Sequence, residues 1–206
     1  MIFNLIDCGA NGNLPLPLNK NMFNDILRFD PKFEKESDNI KPYCLSDIDG
    51  TVEVNMTSGG GFDCLKVNRD YIRDVLSKLN RSKSEQMLKN SEIKSTKTYN
   101  CVRLDTFLDS NHSFNFIKLD TQGMEGRILR GAENFLKTSC DYIFVELFNR
   151  PMFIDFETKD EVVSYLNTLG FNVIWESSNQ GSFGCCQDVL LSKLDDNDVV
   201  KKMLNI

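Results

Sequence analysis

The chain has 206 residues, a net charge of −6, 41% hydrophobic and 26% charged residues, and 15 Phe. These values fit one domain with a sizeable core, an expected single unit over 1–206, and exclude wholesale disorder. The acidic balance weighs against a nucleic-acid partner, because that binding rests on cations neutralising phosphates.

The first residues, Met1 to Asp7, have neither the basic region nor the long apolar core of a signal peptide, and no apolar run approaches a membrane span. A cytoplasmic protein is expected. Seven scattered cysteines without a Cys-x-x-Cys pair suggest buried thiols rather than a disulfide framework or a zinc cluster. The lone histidine, His112, removes most histidine-based mechanisms and reads as a loop residue before a strand.

Short apolar runs at 3–7, 26–30, 43–46, 114–120, 142–146, 171–175 and 189–191 have the continuous character of strands buried on both faces. The first ends in the turn Asp7-Cys8-Gly9-Ala10-Asn11-Gly12-Asn13, where glycines let a ligand lie on the backbone. Its Gly-x-x-Gly spacing lacks a dinucleotide fingerprint, and Pro15 and Pro17 oppose a helix directly after it. Asp30 follows Gly9 by 21 residues and ends the second run, the place of a carboxylate that accepts ribose hydroxyls. A nucleoside without a phosphate cradle points to S-adenosylmethionine rather than NAD.

Residues 42–58 predict a hairpin around Asp49-Gly50. Over 68–90, an Asn68 cap and the stripe Tyr71, Ile72, Val75, Leu76 and Leu79 predict an amphipathic helix followed by a polar run from Asn80. A helical insertion at about 66–98 is expected, as a lid or a plain packing element. Met124, Ile128, Leu129, Ala132, Phe135 and Leu136 recur at a 3.6 period and predict a helix over 124–137. Thr158 and Glu161 form a capping box for 159–169, closed by Gly170. A short helix is expected over 195–204. Alternating strands and helices give an α/β fold with a doubly wound, mostly parallel sheet.

Asp7, Asp30, Asp120 and Glu146 stand at expected strand ends, where such sheets bind ligands. With no usable histidine the available base is a carboxylate. Asp120 is the first choice, as base or as cofactor contact, and Lys118, two residues earlier, is expected to pair with it or with Glu146. Glu125 opens a helix, as a capping charge or a substrate contact.

Four stretches resemble the FkbM-like class I methyltransferases: Ile6 to Gly12, Arg28-Phe29-Asp30-Pro31, Cys44-Leu45-Ser46-Asp47-Ile48-Asp49-Gly50, and Phe116 to Glu125 continuing into Ile128-Leu129-Arg130-Gly131-Ala132. Val102-Arg103-Leu104-Asp105-Thr106-Phe107 adds to the likeness, whereas 66–98 has little counterpart. The resemblance implies a seven-stranded Rossmann-like sheet, S-adenosylmethionine as donor, and methylation of a hydroxyl on a sugar, glycan or small metabolite. It implies that Asp7, Gly9 and Gly12 hold the methionine portion, Asp30 the ribose, and Ser46 with Asp47 the adenine, with Ala10, Asn11, Pro31 and Asp120 also expected in the cofactor site. Gln122 stands where the family usually has an acid. Competing readings are a degenerate binding module of the same fold, an NAD-dependent oxidoreductase with the wrong phosphate turn, and a metal-dependent enzyme for which Asp120 lacks companion ligands.

Overall fold

The computed structural model describes residues 3–10, 12–15, 17–59, 65–108, 112–194 and 200. Its strands are β1 (Phe3–Cys8), β2 (Phe23–Phe29), β3 (Ile40–Lys41), β4 (Cys44–Leu45), β5 (Gly50–Thr57), β6 (Ile93–Val102), β7 (Phe116–Leu119), β8 (Tyr142–Phe148), β9 (Asn172–Glu176) and β10 (Cys186–Ser192). Its α-helices are α1 (Arg69–Tyr71), α2 (Ser77–Leu79), α3 (Arg81–Asn90), α4 (Leu104–Phe107), α5 (Glu125–Arg130), α6 (Glu133–Thr138) and α7 (Lys159–Thr168). Seven strands form one sheet in the order β3-β2-β1-β7-β8-β10-β9. Only β10 runs against its neighbours, pairing antiparallel with both β8 and β9. The chain leaves β1 toward β2 on one side and returns as β7 on the other, so the strand order reverses between β1 and β7. Among the described residues no helix is long and apolar enough to cross a membrane.

Side-chain alternation divides the sheet into two unlike faces. Ile6, Cys8, Leu27, Phe29, Ile117, Leu119, Ile143, Val145, Val189 and Leu191 face the helices and pack on Leu104, Ile128, Leu129, Leu136, Val162 and Leu166 of α4 to α7. The other face is aromatic: Phe3, Phe23, Phe116, Tyr142 and Phe144 cluster with Leu5, Leu18, Met22 and Leu190. Phe3 meets Tyr142 edge-on at 5.1 Å and Phe23 meets Phe116 at 5.3 Å. Toward the carboxyl edge the same positions turn polar: Asp7 follows Phe3 and Leu5, Lys118 follows Phe116, and Glu146 follows Tyr142 and Phe144. The apolar end of this face anchors the sheet and its polar end carries the site.

Four expectations are corrected. The segment 42–58 is not a hairpin, because β4 and β5 do not pair with each other. Both pair with β6, which lies between them in a second sheet of order β4-β6-β5. The ten-residue β6 escapes a hydrophobic reading because Lys94, Thr96 and Thr98 alternate with Ser95 and Lys97, all exposed. The 68–90 segment is not one helix with one buried stripe. Asn68 caps α1 as expected, but a π-helical stretch, Ile72–Leu76, rotates the face so that Ile72 and Leu76 are buried while Val75 and Leu79 are exposed. Asn80 breaks the chain with φ −157° and caps α3, which occupies the expected polar run.

The helix over 124–137 divides into α5 and α6 at Gly131, whose amide still closes α5 on Arg127 O. A Cβ there would overlap the Ser46 carbonyl, so the strand that leads into the second sheet presses on the helix backbone. The strand expected at 43–46 is the two-residue β4 of that sheet, and the third strand of the main sheet is β3. α7 and its Thr158–Glu161 capping box form as expected. The helix expected over 195–204 falls largely outside the described residues.

Gly131→Ala puts a methyl group against a backbone carbonyl that cannot swing aside. A loss of about 1–3 kcal/mol is expected from the urea midpoint, despite the better helix propensity of alanine.

Candidate functional site

The turn after β1 is shaped by close backbone contacts. Gly9 has φ +73°, and a side chain on it would overlap the Asp120 carbonyl, so β1 and the loop after β7 meet there at backbone distance. The Gly9 and Ala10 amides both donate to Phe29 O, at 3.0 and 3.3 Å, which ties the turn to the end of β2. Arg28 reaches over from β2 and donates to Ala10 O and, at 2.7 Å, to Gly12 O. Asn11 lies outside the described residues.

Beneath the turn is a row of charges set by strand register. Asp7 stands opposite Arg28 on one side and Lys118 on the other. Its carboxylate is 3.1 Å from Lys118 Nζ and 3.7 Å from Arg28 Nε. Lys118 also donates to Cys8 O at 3.2 Å and Gly9 O at 3.1 Å. Asp7 and Lys118 are each 2% exposed. The expected partner of Lys118 is thereby corrected: its ammonium serves Asp7 and the turn, not Asp120 or Glu146. The cause is register, which sets Lys118 beside Phe144 and leaves Glu146 two residues further along β8.

A second row lies one step nearer the carboxyl edge. Leu119 pairs with Val145, which puts Asp120 next in line with Glu146, and Glu146 pairs with Asp188 on β10. The Gln122 side-chain amide donates to Asp120 Oδ1 and to Glu146 Oε2, both at 3.1 Å. Gln122 has φ +56°, an unusual conformation for this residue type, and these two bonds hold it there. Cys186 Sγ donates to Glu146 Oε1 at 3.4 Å, and Gln180 Nε2 to Asp188 Oδ2 at 2.8 Å. Burial, reinforced by the neighbouring Asp120 charge, pushes the Glu146 carboxyl up to about 8. Burial raises Asp188 as well.

Glu125 is occupied locally. Its carboxylate accepts from Thr121 N at 2.7 Å, Thr121 Oγ1 at 2.9 Å and Gly123 N at 2.9 Å, so it closes the loop before α5. Burial lifts its pKa above the usual carboxylate range. It is a capping carboxylate, with no part in the wall of the cavity beside it.

That cavity, about 380 Å³, opens where the strand order reverses. Gly9, Asp30, Pro31 and Asp120 line it together with Thr121, Gln122 and Met124. Asp30 ends β2, nearly buried, with Oδ1 accepting from Lys32 N at 2.8 Å. Apolar surface comes from Tyr43, Leu45, Val52, Val54, Leu65 and Ile128. Ser46 and Asp47 do not line it: Ser46 is buried against Gly131, and its hydroxyl donates to exposed Asp47 at 3.0 Å. Asp7 and Ala10 are buried beside the cavity without lining it, and Gly12 is exposed. His112 packs on Phe114 and Phe135, before β7 and therefore at the opposite edge of the sheet. Among the described residues no cluster of His, Cys, Asp and Glu could hold a metal ion.

Sequence reasoning missed Arg28 as the clamp of the turn, Asp188 and Cys186 as neighbours of Glu146, and Val52, Val54 and Tyr99 as cavity wall. Arg28 could have been found, since it stands two residues before Asp30 and so on the same strand face. The others depend on pairings that no local pattern records.

Two outcomes follow from the charge rows. Lys118→Met leaves Asp7 buried with its main counter-ion gone and is expected to cost about 3–5 kcal/mol in denaturant unfolding. Glu146 holds its proton in the folded chain above pH 4.5, up to about 8, where the unfolded chain has released it, so stability declines as pH rises through that window. Glu146→Gln removes this penalty. Its thermal midpoint should gain on the parent by several degrees between about pH 5 and about pH 8.5; parallel curves would refute the raised pKa.

A search of curated proteins finds no match to the chain. The family model described as the Methyltransferase FkbM domain matches residues 6–173, which takes in the turn, the row of Arg28, Asp7 and Lys118, Asp120 with Glu146, and the cavity walls. The chain belongs to the FkbM methyltransferase domain family.

Proposed function

We propose that this methyltransferase uses S-adenosylmethionine to methylate a hydroxyl group on a sugar, glycan or small metabolite. The observation that carries the reading is the position of Asp120. Asp120 lines the cavity together with Asp30 and Gly9, and Gln122 orients its carboxylate.

The cavity suits a nucleoside donor. Asp30 supplies a carboxylate for ribose hydroxyls at the end of β2, while Leu45, Met124 and Ile128 offer an apolar wall for a base. The bound donor would supply a methyl group already activated on a sulfonium. The chain's own task is then to align the acceptor oxygen, exclude water and remove a proton. Asp120 is the base in this reading. Gln122 fixes its oxygens, and Glu146, mostly protonated near neutral pH, limits the negative charge beside it. Lys118 and Asp7 act by holding the turn, and Glu125 by shaping the loop that carries Gln122.

Calorimetry with S-adenosylmethionine, paired with turnover on a hydroxyl acceptor, tests the reading. Asp30→Ala should weaken donor binding ten- to a hundredfold, roughly the loss of a charged acceptor of hydrogen bonds. Asp120→Asn should keep donor affinity and lower turnover by about a hundredfold or more. Absence of donor binding by the parent at millimolar ligand would instead leave a degenerate module, and loss of donor binding in Asp120→Asn would move Asp120 to the donor shell.

A further inference from the structure

Charge is unevenly divided along this chain. Residues 66–98 carry nine Lys and Arg against four Asp and Glu, a net +5 within a total of −6, which leaves −11 on the remainder. Eight of the nine cations are exposed. Arg73, Arg81 and Lys94 have ion pairs with Asp70, Glu85 and Glu92. For Lys66, Lys78, Lys83, Lys89 and Lys97 no ion pair occurs among the described residues.

Apolar side chains stand out among these cations. Because the π-helical stretch turns Ile72 and Leu76 inward, Val75 and Leu79 project outward, 42% and 62% exposed, with Lys78 on the same face. Ile154 is 38% exposed and adjoins this element, its amide donating to Lys66 O at 2.8 Å. Val67 bridges to Phe153, and Asn68 N donates to Met152 O at 2.8 Å, so the chain following β8 anchors the element at the carboxyl edge of the main sheet. Leu65, next to Lys66, lines the cavity. The element that carries these side chains thus begins at the wall of the cavity.

We propose that the outward side of this element, with Val75, Lys78 and Leu79 exposed at helical spacing and the exposed Lys66, Lys83 and Ile154 on the adjoining segments, docks reversibly on the surface of an anionic phospholipid bilayer. Charge complementarity selects an anionic partner: local positive charge draws the face in, and the −11 on the remainder keeps the rest of the molecule away and fixes its orientation. The projecting apolar side chains select lipid over nucleic acid. Val75, Leu79 and Ile154 gain nothing from a phosphate backbone, whereas the headgroup–acyl boundary buries them beside lysines that remain at the level of the phosphates. With so few apolar groups and no spanning helix, attachment depends on both contributions together and is sensitive to salt.

Vesicle flotation of the full chain, without donor or acceptor, is the test. It compares pure phosphatidylcholine with phosphatidylcholine containing about one third phosphatidylserine, at about 0.05 M and about 0.5 M salt. Binding is expected only to the anionic vesicles at low salt. Lys78→Glu/Lys83→Glu should weaken it by about fivefold or more per lysine, and Val75→Ser/Leu79→Ser should also weaken it, with thermal unfolding close to the parent because all four side chains are exposed. A control of equal charge change away from the face, Lys20→Glu/Lys35→Glu, should bind nearly as the parent does. The proposal is overturned if the parent ignores anionic vesicles, or if the control loses binding equally. It is also overturned if RNA competes the chain off the vesicles with an affinity above that for lipid, or if the face variants dissociate a dimer instead. None of these outcomes depends on the donor or the methyl acceptor.

Discussion

The contact between buried Asp7 and its two flanking cations fixes the geometry from which the rest of the site follows. Arg28, Asp7 and Lys118 lie side by side on three neighbouring parallel strands, and both cations spend their remaining donors on carbonyls of the turn after β1. Strand register and turn shape are therefore one constraint. A slip of one residue in β7 would turn Lys118 to the helix-packed face and leave Asp7 buried with little compensation. Buried ion pairs add modest net stability when complete, but a register error that breaks one is costly, which makes this row a device for specificity.

That commitment of Lys118 shapes the chemistry one step further along the sheet. Asp120, Glu146 and Asp188 are left with amides and a thiol as contacts rather than an ammonium group. Amide donors orient carboxylates without cancelling their charge, so at Glu146 burial and the Asp120 charge outweigh the opposing hydrogen bond from Cys186. Gln122 is the centre of this arrangement. An acid at the same place would add another negative charge and lose the donors that bridge Asp120 and Glu146.

The second sheet supplies what the main sheet lacks. The carboxyl edges of β1, β2 and β7 form a floor, and Val52 and Val54 of β5 with Tyr99 of β6 form a wall against it. The helices α1 to α3 join those two strands and pack over the end of β8 through Ile72, Leu76, Met87, Phe148 and Phe153. Cavity wall and cationic outer face thus belong to one continuous stretch of chain, so an altered position of that stretch would act on both.

The sequence by itself determined the central strands of the main sheet and their ends. The apolar runs of β1, β7 and β8 needed no context, because strands buried on both faces admit few polar residues. Gly9 and Asp30 were legible for the same local reason, one as the residue that permits positive φ, the other as a charge closing an apolar run. The tertiary structure alone decided the partners. β6 has exposed, alternating polar residues and becomes a strand only because β4 and β5 flank it. Gly131 reads as part of a helix until the Ser46 carbonyl arrives from 85 positions earlier in the chain. Lys118 could have served any of three carboxylates, and register chose Asp7. Hydrophobic period and turn preference are written in neighbouring residues, whereas pairing, close approach and the assignment of a buried charge are set between residues that meet only when the chain has folded.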